Sequence, residues 1–293
     1  MSGLCAQRNV IVTGAGGGLG RAYAQALAAA GAGVLVNDVR ADAAQAVVAA
    51  IRASGGRAEA DSRDITSVID AQSIVEHALA AFGEVHGVVN NAGITRDRMF
   101  ASLDESDWDE VMRVHLKGHF CLSNLLARRW REQSKRGERV DARIVNTSSG
   151  AGLQGSVGQG NYSAAKAGVA TLTLVQAAEL QRYGVTANAL APAARTGMTE
   201  QVFAQMMQPP ADGGFDYYAP ENVAPLVVWL CSVRSAHVTG QVFEVEGGKL
   251  ALAEGWHRGP LRDKGARWGA EELTAVVDAL IAEARPAQKV WGS

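Results

Sequence analysis

Asn9-Val-Ile-Val-Thr-Gly-Ala-Gly-Gly-Gly-Leu-Gly20 is the stretch that decides the fold of this 293-residue chain. Asn9 to Thr13 reads as a short buried strand, glycines follow at 14, 16, 17, 18 and 20, and an alanine-rich run to Ala30 has helical character. Strand, glycine turn and helix in that order let the backbone bend tightly. They also leave N–H groups at the positive end of the helix to receive a phosphate. A bare tight connection could look the same, so the surrounding sequence has to arbitrate. Working outward, strands are expected near 10–13, 33–37, 57–61, 85–90, 142–147, 185–191 and 240–245. Helices are expected near 18–30, 41–54, 67–82, 105–131, 158–182 and 220–232. Strands separated by helices require right-handed crossovers and a parallel sheet. The expected fold is α/β, a doubly wound sheet of about seven strands in three α/β/α layers. It forms a single domain over 1–249, with an extension, 250–293, that carries one helix near 270–284 and belongs to the same domain. Ligands of such sheets lie beyond the carboxyl ends of the strands. Gly14, Asp38, Asp64, Asn91, Ser149 and Pro192 all follow strand ends, so they converge on one crevice.

Two groups of residues say what that crevice is for. The second strand, Gly33-Val-Leu-Val-Asn37, is closed by Asp38, 18 residues past Gly20. A carboxylate there accepts hydrogen bonds from the ribose hydroxyls of NAD and repels the additional phosphate of NADP, so NAD is expected over NADP. Arg40 could partly accommodate a phosphate, or be a solvated residue at a helix start. Further on come Ser149, Tyr162 and Lys166. Tyr162 and Lys166 are an i, i+4 pair and share one helix face. A neighbouring ammonium favours the phenolate, so Tyr162 is expected to work as a general base while Ser149 hydrogen-bonds the substrate oxygen. Alone, a Tyr-x-x-x-Lys pair is usually a surface feature. Here the glycine turn and Asp38 accompany it.

Thr13-Gly14-x-x-x-Gly18-x-Gly20, Asn90-Asn-Ala-Gly93, Ser149, Tyr162-x-x-x-Lys166 and Asn188-x-x-x-Pro192 occur in order. In these motifs, from about Asn9 to Gly248, the chain resembles the short-chain dehydrogenase/reductase family, whose fold is Rossmann-like. The resemblance implies cofactor contacts for Gly14, Gly17, Gly18, Leu19, Gly20, Asp38, Asp64, Ile65, Asn91, Ala92, Gly93, Tyr162, Lys166, Pro192 and Thr196. It implies substrate contacts for Ser149, Leu153, Gln159, Tyr162 and Met198. It also implies that Lys166 binds the nicotinamide ribose as well as tuning Tyr162.

There are two departures from the family pattern. His115, in Val111-Met-Arg-Val-His-Leu-Lys-Gly118, stands where asparagine is usual. At that position the family mechanism uses chiefly a backbone carbonyl, to hold a water that relays protons to the lysine. His115 is therefore a candidate member of the catalytic relay, or a packed histidine. His115 and His119 also have i, i+4 metal-ligand spacing, but no acidic partner lies in the motif, and no metal is expected. The second departure is Pro192-Ala-Ala, where Pro-Gly is commoner. Val-His-Leu-Lys-Gly, with Val36-Asn-Asp38 and Asn222-Val-Ala-Pro-Leu-Val-Val-Trp-Leu-Cys231, resembles the dehydrogenase domain of peroxisomal D-bifunctional proteins and their single-domain bacterial relatives. That likeness implies NAD-dependent interconversion of (3R)-hydroxyacyl-CoA and 3-oxoacyl-CoA in lipid or sterol side-chain degradation. The alternatives are a 17β-hydroxysteroid dehydrogenase and a 3-oxoacyl carrier-protein reductase. The last would want NADPH and basic residues in the glycine turn, and Ala15 to Leu19 has none.

Composition agrees with an enzyme acting on a small molecule. The chain is 47% hydrophobic with a net charge of −2, enough for one large core and without the basic excess of a nucleic-acid binder. Cys5, Cys121 and Cys231 are few and scattered, as free thiols in a reducing compartment would be. No signal peptide is expected. The longest uncharged stretch, Ile144 to Ala165, is too rich in Gly, Ser, Asn and Gln to span a bilayer, so a cytoplasmic location is expected. A homodimer or homotetramer, paired through helices 105–131 and 158–182, is implied by the family likeness. Thr196 to Tyr218, with Met198, Phe203, Met206, Met207, Phe215 and Tyr217, is expected to form an apolar substrate lid. Arg258, Arg262, Lys264 and Arg267 in the extension could meet the phosphates of coenzyme A, or form a solvated surface.

Overall fold

The computed structural model describes residues 3–197, 208–211, 213–286 and 288–293. Eight strands form one sheet in the order β3-β2-β1-β4-β5-β6-β7-β8. They are β1 Asn9–Thr13, β2 Gly33–Asn37, β3 Arg57–Asp61, β4 Gly87–Asn90, β5 Ala142–Thr147, β6 Val185–Ala193, β7 Val242–Glu246 and β8 Lys249–Leu252. The helices between them are α1 Gly18–Ala29, α2 Ala41–Ala53, α3 Val68–Phe82, α4 Glu105–Met112, α5 Gly118–Lys135, α6 Gly150–Gln154, α7 Gly160–Leu180, α8 Ala224–Cys231 and α9 Leu273–Glu283.

The first seven strands are parallel, and β8 returns antiparallel on β7 with Glu246 opposite Lys249. All seven expected strands are present. The eighth adds to them because Gly247, at φ +50°, turns the chain through Gly247-Gly248. The extension therefore begins inside the sheet.

Strand period sorts the core into two layers. Val10, Val12, Val34 and Val36 pack with Tyr23, Leu27, Val47, Ile51, Val227 and Leu230 beneath α1, α2 and α8. Ile11, Leu35 and Val88 face the other way onto Ile74, Leu122, Leu126 and Trp130 from α3 and α5. β1 is flanked by β2 on one side and β4 on the other, so the strand order reverses there and opens a crevice above β1 and β4.

The single helix expected over 105–131 is interrupted. Arg113–Lys117 forms a π-helical turn between α4 and α5, with the Gly118 N–H donating to the Arg113 carbonyl. Such a turn inserts one residue into the helix and re-aims the side chains around it. Here it carries His115 into the core.

Candidate active site

At the glycine turn, Gly14 and Gly18 have φ of +60° and +49°, and a Cβ on Gly14 would lie 2.7 Å from the Ala92 Cα. A Cβ on Gly20 would lie 2.2 Å from the Gly14 carbonyl oxygen, so the helix start can approach the turn only with glycine there. Gly17 caps α1 without a side-chain hydrogen bond, which leaves the first N–H groups of the helix for an anion. The buried Asp38 accepts from the Gly16 N–H at 2.9 Å, and from the Arg40 N–H at 3.0 Å and Nε at 3.1 Å. Burial would raise its pKa, but the Arg40 side chain and the two backbone donors together hold it below the usual range. Arg40 is thus committed to Asp38, and the carboxylate is oriented at the end of β2. Thr196 stands beside the turn, its Cγ2 3.4 Å from where a Cβ on Gly18 would be. Pro192 lies in β6 opposite Val245.

The other expected cofactor residues are occupied with holding the crevice together. Asn91 Nδ2 donates to the carbonyls of Thr13 and Gly14, and the Asn91 and Ala92 N–H groups donate to Thr13 Oγ1. Asp64 accepts from the Thr66 N–H and pairs with Arg113 at 3.1 Å. Ile65 is buried against Gly118. Gly93 leaves room for His115, whose Cε1 would lie 2.4 Å from a Cβ there. These turns and open N–H groups, with a carboxylate at the end of β2, fit an extended dinucleotide.

At the other end of the crevice, Ser149 caps α6 and its Oγ accepts from the Ala151 N–H at 3.2 Å. Its hydroxyl proton therefore remains able to turn toward the Tyr162 phenol, whose pKa the nearby hydroxyl lowers. Tyr162 lies in the first turn of α7, half-buried, and Lys166 one turn on is buried, its Nζ 5.8 Å from the phenol ring centre. The Lys166 ammonium donates to the Thr147 carbonyl. Burial pushes the Lys166 pKa down to about 7, and it pushes the Tyr162 phenol up, against the lowering effect of the Ser149 hydroxyl. The Lys166 charge is not among the causes that move the phenol's pKa here. In this geometry desolvation governs both groups, and the ammonium is directed at a carbonyl.

His115 is fully buried and packs edge-on against Tyr162, ring centres 5.2 Å apart. Its Nε2 lies 2.7 Å from the Ile94 carbonyl oxygen, and its Nδ1 has no hydrogen-bonding partner among the described residues. Burial, with the Lys166 charge nearby, depresses its pKa to about 3, so the imidazole is neutral at working pH. His119 receives a long hydrogen bond from the Thr147 N–H. Among the described residues no group of three metal-ligating side chains converges.

Several residues that build the site went unremarked in the sequence. Gly152 lets α6 settle onto α7, where a Cβ would lie 2.6 Å from the Lys166 backbone, and Ser148 Oγ donates to the Lys166 carbonyl at 2.8 Å. The buried Asn161 donates to the carbonyls of Arg96 and Asp107 while accepting from the Tyr162 N–H at 2.8 Å, which anchors the start of α7. Asn90, Ser123, Asn146, Thr173 and Gln176 form a buried polar chain beneath it. Asn161 and Asn146 are neighbours of the recognised motifs, and that adjacency was the one available signal.

Of the expected substrate residues, Leu153 is half-buried in α6, and Gln159 is tied to Asp97 at 2.9 Å just before α7. Met198, with Phe203, Met206 and Met207, lies outside the described residues. At the described end of the expected lid, Asp216 pairs with Arg195 and Tyr217 lies over Gly247. In the extension Arg262 pairs with Glu283 and Lys264 with Glu272, so half of the expected basic patch is neutralised. Among the described residues no helix is long and apolar enough to cross a membrane.

A family model described as short chain dehydrogenase matches residues 8–207. The chain is 44% identical over 286 residues to hydroxyacyl-CoA dehydrogenase ChsB1 of Mycobacterium tuberculosis, covering 95% of this chain and 90% of that protein. It is 43% identical over 260 residues to the peroxisomal multifunctional enzyme type 2 of Mus musculus, covering 86% of this chain and 33% of that longer enzyme. Among solved structures, a short chain dehydrogenase from Mycobacterium avium matches with a TM-score of 0.91 at 54% identity, covering 99% of this chain and 100% of that one. The chain belongs to the short-chain dehydrogenase family. It is an oxidoreductase acting on CH–OH groups of a small-molecule substrate with a nicotinamide cofactor, NAD or NADP.

Proposed function

We propose that the protein is an NAD-dependent dehydrogenase that interconverts a (3R)-hydroxyacyl-CoA and its 3-oxoacyl-CoA in lipid or sterol side-chain degradation. The observation that carries the reading is the neighbouring pair Ser149 and Tyr162, with Lys166 one turn behind, at the mouth of a crevice whose other end is the glycine turn and Asp38. Similarity along nearly the full length of the mycobacterial hydroxyacyl-CoA dehydrogenase supports the substrate class.

A bound dinucleotide supplies the hydride acceptor. Gly14, Gly17, Gly18, Leu19 and Gly20 would seat its pyrophosphate, Asp38 its adenosine ribose, Thr196 its nicotinamide end, and Lys166 its second ribose. Asp64, Ile65, Asn91 to Gly93 and Pro192 would form the adjoining walls. Support for NAD over NADP comes from the Asp38 carboxylate, and from the engagement of Arg40 by that carboxylate.

Ser149 holds the substrate oxygen by donating its own hydroxyl proton, and the Tyr162 phenolate accepts the proton of the substrate's hydroxyl group. Lys166 fixes the end of β5 through Thr147. Because burial raises the Tyr162 pKa, the alcohol-oxidising rate should climb toward alkaline pH, where more phenolate forms. His115 contributes a neutral edge that holds the Tyr162 ring in place.

Tyr162→Phe, measured with a panel of (3R)- and (3S)-hydroxyacyl-CoAs and hydroxysteroids and both dinucleotides, should lose turnover by about 1,000-fold or more while NADH affinity holds. Substantial residual turnover would refute the role of Tyr162. A preference for a 17β-hydroxysteroid or for NADP would refute the substrate or the cofactor reading. We further infer pairing of two copies through α5 and α7, whose Phe120, Leu174 and Val175 are 46–47% exposed. Light scattering at micromolar concentration tests this, and a monomer would refute it.

A further inference from the structure

Val290 to Gly292 lie against the segment that joins the two catalytic groups. Ser149 caps α6 and Tyr162 opens α7, and between them runs the connection Gly155 to Gln159. On one side of that connection the Arg98 N–H donates to the Gly158 carbonyl at 2.8 Å, and Gln159 is held by Asp97. On the other side sit Val290 to Gly292. The Val157 N–H donates to the Trp291 carbonyl at 2.9 Å, and the Trp291 N–H donates to the Gly155 carbonyl at 3.2 Å. Ser156 and Trp291 thereby pair as a one-residue parallel bridge.

Side chains reinforce the pairing. The Trp291 indole lies directly on Gly150, the residue after Ser149, where a Cβ would come within 2.4 Å of its ring. Val290 packs at Gly155 and Gly292 at Val157. Among the described residues of 284–293, these two backbone hydrogen bonds are the only ones that reach the body of the protein. α9, which precedes this segment, buries no residue, and it is tied to the loop before it by Arg262–Glu283 and, through its capping residue, by Lys264–Glu272. A segment that follows a helix with no buried residue and returns to this one place is a strap over the Ser149–Tyr162 connection.

We propose that Val290 to Gly292 form such a strap and that Trp291 is a positioning residue for the reaction. Its indole fixes the α6 start that aims Ser149, and its backbone fixes the register of the connection that delivers Tyr162. This rests on the dehydrogenase reading above. Displacement of a catalytic group by about 1 Å costs up to about 100-fold in rate. Among the described residues no backbone hydrogen bond joins this segment to the dinucleotide end, built from β1, the glycine turn and β2.

The test uses the full-length protein, Trp291→Ala, Trp291→Phe and a truncation after Lys289. The measurements are kcat and KM on the hydroxyacyl-CoA that the wild type turns over fastest, NADH affinity by fluorescence titration, and amide hydrogen exchange. Trp291→Ala and the truncation should lower kcat about 10- to 100-fold with NADH affinity within about twofold. Trp291→Phe should recover most of the loss. Amides 151–158 should exchange faster in both damaging variants while those of β1 and the glycine turn do not change. Unchanged kcat, or losses of NADH affinity that match the losses of kcat, would overturn the proposal. So would unchanged exchange at 151–158. A wild type inert toward every hydroxyacyl-CoA would instead refute the substrate reading, and hydrogen exchange would then decide the strap alone.

Discussion

Replacing Lys166 by methionine should destroy turnover and yet stabilise the fold at low pH. The side chain is buried, its one described hydrogen bond goes to the Thr147 carbonyl, and burial lowers its pKa from 10.5 to about 7. A gap of about 3.5 pH units between the folded and unfolded lysine corresponds to roughly 5 kcal/mol. Below about pH 7 both states carry the proton, and the folded state bears the whole cost of a buried ammonium. Between about 7 and 10.5 the unfolded chain holds a proton that the folded one lacks, so wild-type stability rises with pH through that window. Methionine has a similar length and no charge. It removes the cost but leaves the Thr147 carbonyl without its donor, a loss of about 1–3 kcal/mol. The net expectation is a gain of about 2–4 kcal/mol near pH 6, which for a chain of this size is roughly 4–8 °C in Tm. By about pH 10 the gain should vanish or reverse. Thermal melts of both proteins at several pH values make the comparison. A Lys166→Met protein that melts below wild type by the same margin at every pH would refute the reasoning, because the lysine would then be stabilising the fold rather than burdening it.

Three further substitutions probe the rest of the site. Asp38→Asn removes the charge facing the position of an NADP phosphate and frees Arg40, so the NADP-to-NAD ratio of kcat/KM should rise about 10-fold or more; an unchanged ratio would place the discrimination elsewhere. Gly20→Ala sets a methyl 2.2 Å from the Gly14 carbonyl oxygen and should weaken NADH binding at least about tenfold, read by fluorescence titration, with about 1–3 kcal/mol of destabilisation. His115→Asn should leave the ionisations in the pH–rate profile where they are between about pH 6 and 10, since the imidazole titrates near 3. Disappearance of an ionisation would make His115 a member of the proton relay.

Most of the scaffold could be read from local pattern. Val10 and Val12 against Ile11 declare a strand buried on both faces, and the glycines at 14, 18 and 20 declare a turn that only glycine can make. Those are short-range steric facts. Period, turn chemistry and the order of motifs carried the sheet, the crevice and the candidate residues Ser149, Tyr162, Lys166 and Asp38. The π-turn at Arg113–Lys117 and the strand Lys249–Leu252 escaped that reading. Apolar periodicity does not distinguish an inserted helical residue, and a four-residue strand with every residue exposed has no inward face to announce it.

What the tertiary structure alone decided are contacts between residues far apart in the chain. The dominance of burial at Lys166 and Tyr162 depends on how many atoms surround them, and spacing along a helix does not report that number. Asn161 holding the carbonyls of Arg96 and Asp107, Gly152 admitting α6 onto the Lys166 backbone, and Trp291 seated on Gly150 arise where separate segments meet in space. The chain by itself singled out the candidate groups for the chemistry, because each motif is a local arrangement. How firmly those groups are aimed is a property of packing, and packing exists only once the distant segments have come together.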